Sequence, residues 1–216
     1  MTAWVIIPAF NEGKRIKEVL RKTKKFVPHV IVVDDGSMDE TSAAAKEEGV
    51  VLLPHITNLG KGAALKTGCD YALMQGADKI VVLDADGQHD PERIPDFLKS
   101  LEETDIVFGY RQLGESMPYI LRFGNWFINK MVAKLYGLEL RDTQSGYRAF
   151  TAEAYKKIRW NARDYSMESE MISRVGRHKL RYKEVPIKTI YGDKYKGTTV
   201  LDGIRIVTKL MMWRVS

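Results

Sequence analysis

Short runs of Val, Ile and Leu recur through the first half of the chain, each followed by a segment of different period. Residues 4–7, 30–33, 50–53 and 80–83, and 105–108 after its opening Asp105, are apolar at consecutive positions, the pattern of strands in a sheet covered on both faces. Between them, residues 12–25, 39–48, 63–74 and 91–102 read as helices; in the first, Ile16, Val19 and Leu20 share one face. Asp39 suits an N-cap and Pro91 a first helical turn. This alternation predicts an α/β fold, a doubly wound, mostly parallel sheet flanked by helices.

Beyond residue 110 the alternation stops. Residues 118–136 predict a long helix studded with aromatics, 146–150 an isolated strand, 168–178 a helix and 181–190 a strand. Leu201, Ile204, Val207 or Thr208, and Met211 then recur at helical spacing among Arg205, Lys209 and Arg214, predicting a basic amphipathic helix. No repeat or low-complexity linker divides residues 1–216, which read as a single domain.

Composition narrows the class. With 44% hydrophobic and 29% charged residues, a chain of 216 residues buries a substantial core. Cys69 is the only cysteine, which excludes an intrachain disulfide and a cysteine-based zinc site. No apolar run reaches the ~18 residues of a spanning helix, and Met1-Thr2-Ala3-Trp4 leads directly into a strand with no signal-peptide pattern. The net charge of +6 implies an anionic partner: nucleic acid, a phosphorylated small molecule or an acidic membrane surface. Lys and Arg gather in residues 174–214, whereas carboxylates collect at strand ends in the first half.

Ligands of open α/β sheets bind beyond the carboxyl ends of the strands. Three of those ends read Pro8-Ala9-Phe10-Asn11-Glu12, Asp34-Asp35-Gly36-Ser37 and Asp84-Ala85-Asp86-Gly87-Gln88-His89-Asp90. Each alone is ordinary turn composition; together they mark one edge. In extended chain Asp84 and Asp86 project to the same side, and facing carboxylates call for a cation. Oxygen donors select Mg²⁺ or Mn²⁺, ions that also bridge phosphates, and Gln88 adds a neutral oxygen. Gly60-Lys61-Gly62-Ala63-Ala64 predicts a helix start whose N–H groups and Lys61 face an anion. An EF-hand is excluded by His89 and Pro95 at its sixth and twelfth positions. Walker-type and dinucleotide-binding glycine spacings are absent. Of the histidines, only His89 adjoins the acidic segment, and none shows ligand spacing.

Read in order, these segments resemble glycosyltransferase family 2, specifically the dolichyl-phosphate mannose synthase-like branch of polyprenyl-phosphate hexosyltransferases. The resemblance runs through Ile7-Pro8-Ala9-Phe10-Asn11-Glu12, Val33-Asp34-Asp35-Gly36-Ser37-Met38-Asp39, Asn58-Leu59-Gly60-Lys61-Gly62 and Asp84-Ala85-Asp86-Gly87-Gln88-His89-Asp90-Pro91. It continues in Gly109-Tyr110-Arg111, in Asp142-Thr143-Gln144-Ser145-Gly146-Tyr147-Arg148, in Glu168-Ser169-Glu170 and in Glu184-Val185-Pro186-Ile187. It implies a glycosyltransferase A fold and inversion at the anomeric carbon. Pro8, Phe10, Glu12, Asp34 and Asp35 would contact the nucleoside; Lys61 and Asp84 complete the nucleotide-binding set. Asp84, Asp86 and Gln88 would hold Mg²⁺ or Mn²⁺ on the donor diphosphate. The catalytic set would be Asp86, Arg111, Arg122 and Glu170, the arginines binding phosphate and Glu168 and Glu170 lying near the sugar or acceptor.

The activity so implied transfers mannose or glucose from a GDP- or UDP-hexose to a polyprenyl (dolichyl) phosphate. The protein would be cytoplasmic and peripheral on the membrane surface, with no nucleic acid partner. Residues 1–110 would bind the nucleotide sugar and 111–216 the acceptor. Asp34-Asp35-Gly36-Ser37-Met38-Asp39 departs from the branch's Asp-Asp-Asn-Ser-Pro-Asp, and Lys194 and Val200 replace a loop arginine and lysine, leaving the donor base open. Two other activities remain at this point. A sugar hydroxyl acceptor would need a base such as Asp142 or Glu170. A haloacid-dehalogenase-like phosphohydrolase would use Asp84-Ala85-Asp86-Gly87, though Gln88 stands where that motif has threonine.

Overall fold

The structure, a computed structural model, describes residues 1–111, 119–164, 166–188, 208–210 and 212. The strands are β1 (Ala3–Ala9), β2 (His29–Asp34), β3 (Val51–Pro54), β4 (Lys79–Val82), β5 (Ile106–Arg111), β6 (Arg148–Thr151) and β7 (Tyr182–Ile187). The helices are α1 (Ile16–Thr23), α2 (Thr41–Glu47), α3 (Lys61–Met74), α4 (Ile94–Ser100), α5 (Tyr119–Tyr136), α6 (Ala152–Ile158) and α7 (Met167–Arg177). In α5 the side chains at positions 119–123 and 125, that of Arg122 among them, lie outside the described residues. So do the loop 193–200 and most of the predicted C-terminal helix. Among the described residues, no helix is long and apolar enough to cross a membrane.

The strands form one sheet in the order β3-β2-β1-β4-β6-β5-β7. All pairings are parallel except those of β6, which runs antiparallel to both β4 and β5. The strand expected to stand alone at 146–150 is therefore the bridge between the two halves of the sheet. Its register, Val81↔Ala149 and Val107↔Ala149, is a long-range pairing that no local pattern announces. Helix α6 was not expected; Thr151 caps it, its side chain accepting the Ala154 N–H.

Consecutive apolar residues serve opposite faces. Ile6, Ile31, Val33, Ile80 and Val82 pack under α3, α6 and α7, while Val5, Ile7, Val30, Val32 and Val81 pack under α1, α2 and α4. Helix α3 lies so close that a Cβ on Gly68 would stand 2.4 Å from Ile6 Cγ2. Because β1 pairs with β2 on one side and β4 on the other, all in parallel, the loops after these three strands emerge at one edge.

Candidate active site

The turn after β4 carries the sharpest chemistry. β4 ends at Val82, and residues 85–86 form a turn closed by Gly87 at φ +76°, so Asp84 and Asp86 are not on the extended chain assumed from their spacing. Asp86 Oδ1 accepts the Gln88 N–H at 3.0 Å. The Asp84 N–H donates to His89 Nδ1 at 3.0 Å, which places that ring's proton on Nε2 while the imidazole is neutral. The His89 ring packs on Tyr147, which stacks on Phe97 at 4.4 Å, so the turn rests on an aromatic floor.

A lysine supplies the compensating charge. Lys61 Nζ lies 2.8 Å from Asp84 Oδ1 and 3.1 Å from Glu168 Oε1. Burial alone would raise the Asp84 pKa, but Lys61 and His89 more than offset it, and Asp84 is held below the ordinary carboxylate range. Burial likewise opposes the charge on Lys61, and the two carboxylates outweigh it, raising its pKa. Lys61 opens α3 as expected, yet the N–H groups behind it do not await an anion. Gly62 and Ala63 donate to the Arg163 carbonyl at 2.7 and 3.2 Å. That contact needs bare backbone, since a Cβ on Gly62 would stand 2.4 Å from the Ala162 carbonyl oxygen.

The opposite wall comes from the segment before β6. Asp142 takes Arg111 in a two-point pair, Nε to Oδ2 at 2.6 Å and Nη2 to Oδ1 at 3.1 Å. A Cβ on Gly146 would lie 2.8 Å from Lys61 Nζ and 2.9 Å from Asp84 Oδ2, so only glycine lets this segment approach the pair. Arg148 is buried, donating to the carbonyls of Ser145, Thr143 and Glu168 at 2.9–3.0 Å. Burial pushes its pKa down to about 10. Arg148 thus ties the Gly146 segment to the start of α7, which presents Glu168.

The first two strand ends are built differently. Asp34 accepts the Ser37 N–H at 3.0 Å and the Ser42 hydroxyl. Asp35 accepts the Leu59 and Gly60 N–H groups at 3.0 and 2.8 Å and meets His55 Nδ1 at 2.7 Å, while His55 Nε2 reaches Thr67 Oγ1 at 3.0 Å. Pro8 sits within β1; Phe10 is exposed beside Asn11, whose φ is +56°. Glu12 pairs with Arg15 at 3.2 Å.

Of the predicted site residues, Asp84 and Lys61 come together, with Glu168 and Gly146 beside them, and Asp86 follows in the same turn, its charge felt by His89. Arg111 stands on the neighbouring β5 strand, locked to Asp142. Glu170 points elsewhere: its oxygens accept the Asn161 and Ala162 N–H groups at 2.8–3.0 Å and the Arg174 guanidinium at 2.7 Å. Sequence reasoning assigned no role to Arg148, Gly146 or His55. Arg148 was visible as a lone charge inside the apolar run Tyr147–Phe150, a pattern that signals a paired buried ion.

Hard oxygen donors at Asp84 and Asp86, one held ionised, fit a divalent cation. Among the described residues no group of three or more His, Cys, Asp or Glu is arranged as a metal cage. Two carboxylates with open positions left over is how Mg²⁺-type ions bind jointly with substrate phosphates.

This sheet order, with helices on both faces and an acidic turn at a central strand's end, defines a glycosyltransferase A fold. Glucosyl-3-phosphoglycerate synthase from Mycobacterium tuberculosis shares it, with a TM-score of 0.75 over 99% of this chain and 79% of its own at 21% identity. The chain belongs to glycosyltransferase family 2: the family's model, described as glycosyl transferase family 2, matches residues 4–159. UDP-N-acetylglucosamine–dolichyl-phosphate N-acetylglucosaminyltransferase of Methanococcus voltae is 33% identical, over 98% of this chain and 96% of its own. Undecaprenyl-phosphate mannosyltransferase of Micrococcus luteus is also 33% identical, over 97% and 93%. Family membership sets the phosphohydrolase alternative aside.

Proposed function

We propose that this glycosyltransferase moves a hexose from a nucleoside diphosphate sugar to a polyprenyl phosphate, with inversion. One observation favours a phosphate over a hydroxyl acceptor. Asp142 and Glu170, the carboxylates considered as a base for a hydroxyl, are both bound to arginines. A lipid phosphate is already ionised at neutral pH and needs no such base. The two relatives named above, aligned over nearly their full lengths, both carry a polyprenyl phosphate in their names while differing in sugar.

In this reading residues 1–110 bind the donor and 111–216 the acceptor. Phe10, Pro8 and Glu12 flank the nucleoside, and Asp34 and Asp35 shape its loops. Asp84 and Asp86, with Gln88, would hold Mg²⁺ or Mn²⁺, which when bound offsets charge building on the departing diphosphate. Lys61, fixed between Asp84 and Glu168, adds positive charge at the same place. Arg111 and Arg122 hold the acceptor phosphate so that its oxygen faces the anomeric carbon. That oxygen forms the new bond as the bond to the diphosphate breaks, and the nucleoside diphosphate leaves with the electron pair. The protein would work as a peripheral protein on the cytoplasmic membrane surface, near the isoprenoid tail. Trp126 and Phe127 of α5, 53% and 43% exposed, offer apolar surface for that tail.

Radiolabelled UDP- and GDP-hexoses offered with polyprenyl phosphate and Mn²⁺ should yield a lipid-linked sugar from at least one donor. Arg122→Ala should lower acceptor use ten- to a hundredfold, the loss of a charge-assisted contact of ~1.5–3 kcal/mol, and leave donor binding nearly unchanged. Donor binding without any lipid product, alongside glycosylation of a free saccharide, would refute the assignment.

A further inference from the structure

A second concave site lies behind the active-site wall. It is a cavity of about 860 Å³ between the loop at 161–164, α7 and the C-terminal segment, and Asp84, Asp86, Lys61 and Arg111 do not line it. Among the described residues its cations are Arg163, Arg174, Arg177 and Lys209, with His178 beside them, against the carboxylates Asp164 and Glu170.

The two carboxylates are already engaged. Glu170 holds the Asn161 and Ala162 N–H groups and Arg174, and Asp164 accepts from Ser166 and, at 3.4 Å, from Lys209 Nζ. Arg174 spends Nε and Nη2 on the single oxygen Oε1 of Glu170, so that pairing leaves Nη1 unused. The Arg163 side chain is exposed, and its guanidinium meets no partner among the described residues. Among the described residues Arg174 and Lys209 answer those two carboxylates, so the Arg163 guanidinium adds positive charge to a concave place that Arg177 and His178 also line. Several guanidinium groups converging on one space match the fork geometry of phosphate oxygens better than a lone carboxylate.

From this arrangement we infer that the cavity is a binding site for a phosphate group, separate from the transfer site and supplied by a free phosphorylated molecule or by a lipid headgroup. Its wall touches the catalytic machinery, because the Arg163 carbonyl caps the start of α3 directly behind Lys61. The inference goes beyond the proposed transfer and does not depend on which sugar or acceptor is used.

The full chain is titrated with inorganic phosphate at constant ionic strength, following heat or thermal shift. Arg163→Ala should weaken binding about fivefold or more, and Arg163→Glu/Lys209→Glu should abolish it. Lys25→Glu/Lys157→Glu, the same charge change at exposed lysines elsewhere, should leave it intact, as should Asp86→Ala, which separates this site from the donor diphosphate. Co-sedimentation with phosphatidylglycerol and phosphatidylcholine vesicles identifies the source. A headgroup ligand predicts phosphatidylglycerol-selective binding lost in Arg163→Ala and competed by phosphate. A free ligand predicts vesicle binding equal in wild type and variant while the phosphate titration still differs. Unchanged phosphate affinity in both cavity variants, or an equal loss in the Lys25/Lys157 control, would overturn the inference. Loss of lipid-linked product alone would bear on the proposed function and not on this site.

Discussion

Two acidic pairs lie at the same edge of the sheet, Asp34–Asp35 after β2 and Asp84–Asp86 after β4, separated only by β1. From composition they look interchangeable, and the structure separates them. The oxygens of Asp34 and Asp35 go to backbone N–H groups, hydroxyls and a histidine of neighbouring loops. Those of Asp84 and Asp86 meet one lysine ammonium and one N–H, and are part-exposed. The first pair builds the loops that deliver Lys61; the second offers its oxygens to a ligand. A carboxylate's place at a sheet edge therefore says less about its job than the number of donors its own chain turns towards it.

Replacing one carboxylate of the open pair tests this contrast most strongly. Asp86→Ala should cut transfer at least about a hundredfold, since the charge stabilisation at stake is several kcal/mol. Its melting temperature should stay near that of wild type, because the lost protein contact is a single hydrogen bond. Wild-type rates persisting in EDTA would remove the metal from the account.

A smaller effect should come from the glycine facing the pair. In Gly146→Ala the new Cβ must displace Lys61 or Asp84. The ammonium end can yield, so destabilisation should stay within about 1–3 kcal/mol. The rate should nevertheless fall about tenfold, because displacing a positioned group by an ångström is costly. A turnover number within twofold of wild type would mean that the Lys61–Asp84 distance is not critical.

The smallest effect on rate, with a larger effect on stability than that of Asp86→Ala, belongs to the closed pair. Asp35→Asn replaces a charged acceptor of two N–H groups and should cost about 1–3 kcal/mol in denaturant unfolding. The rate should fall only a few-fold, through slack at Gly60 and Lys61. A rate loss as deep as that of Asp86→Ala would show that the two pairs do the same work.

Much of the fold was legible because its signals are local. Strands β1 to β4 fall within two residues of the apolar runs, and β5 within three, since a strand buried on both faces must be apolar at nearly every position. The ends at Asp34, Asp84 and Lys61 were visible because turn and helix-start residues cluster in sequence. Asp84 and Asp86 were singled out together on a premise of extended chain that Gly87 and the turn at 85–86 replace.

What tertiary structure alone decided is long-range. β6 enters antiparallel between β4 and β5, with β4 more than sixty residues earlier in the chain, and that insertion brings Gly146 against Asp84. The partner of Lys61 on α7, the turning of Glu170 towards its own loop and the burial of Arg148 follow from the same packing. A sequence states which residues can be charged, capped or apolar within a few positions. Which charge meets which is settled only when distant segments are pressed together, because a buried ion must find its partner wherever the fold places one.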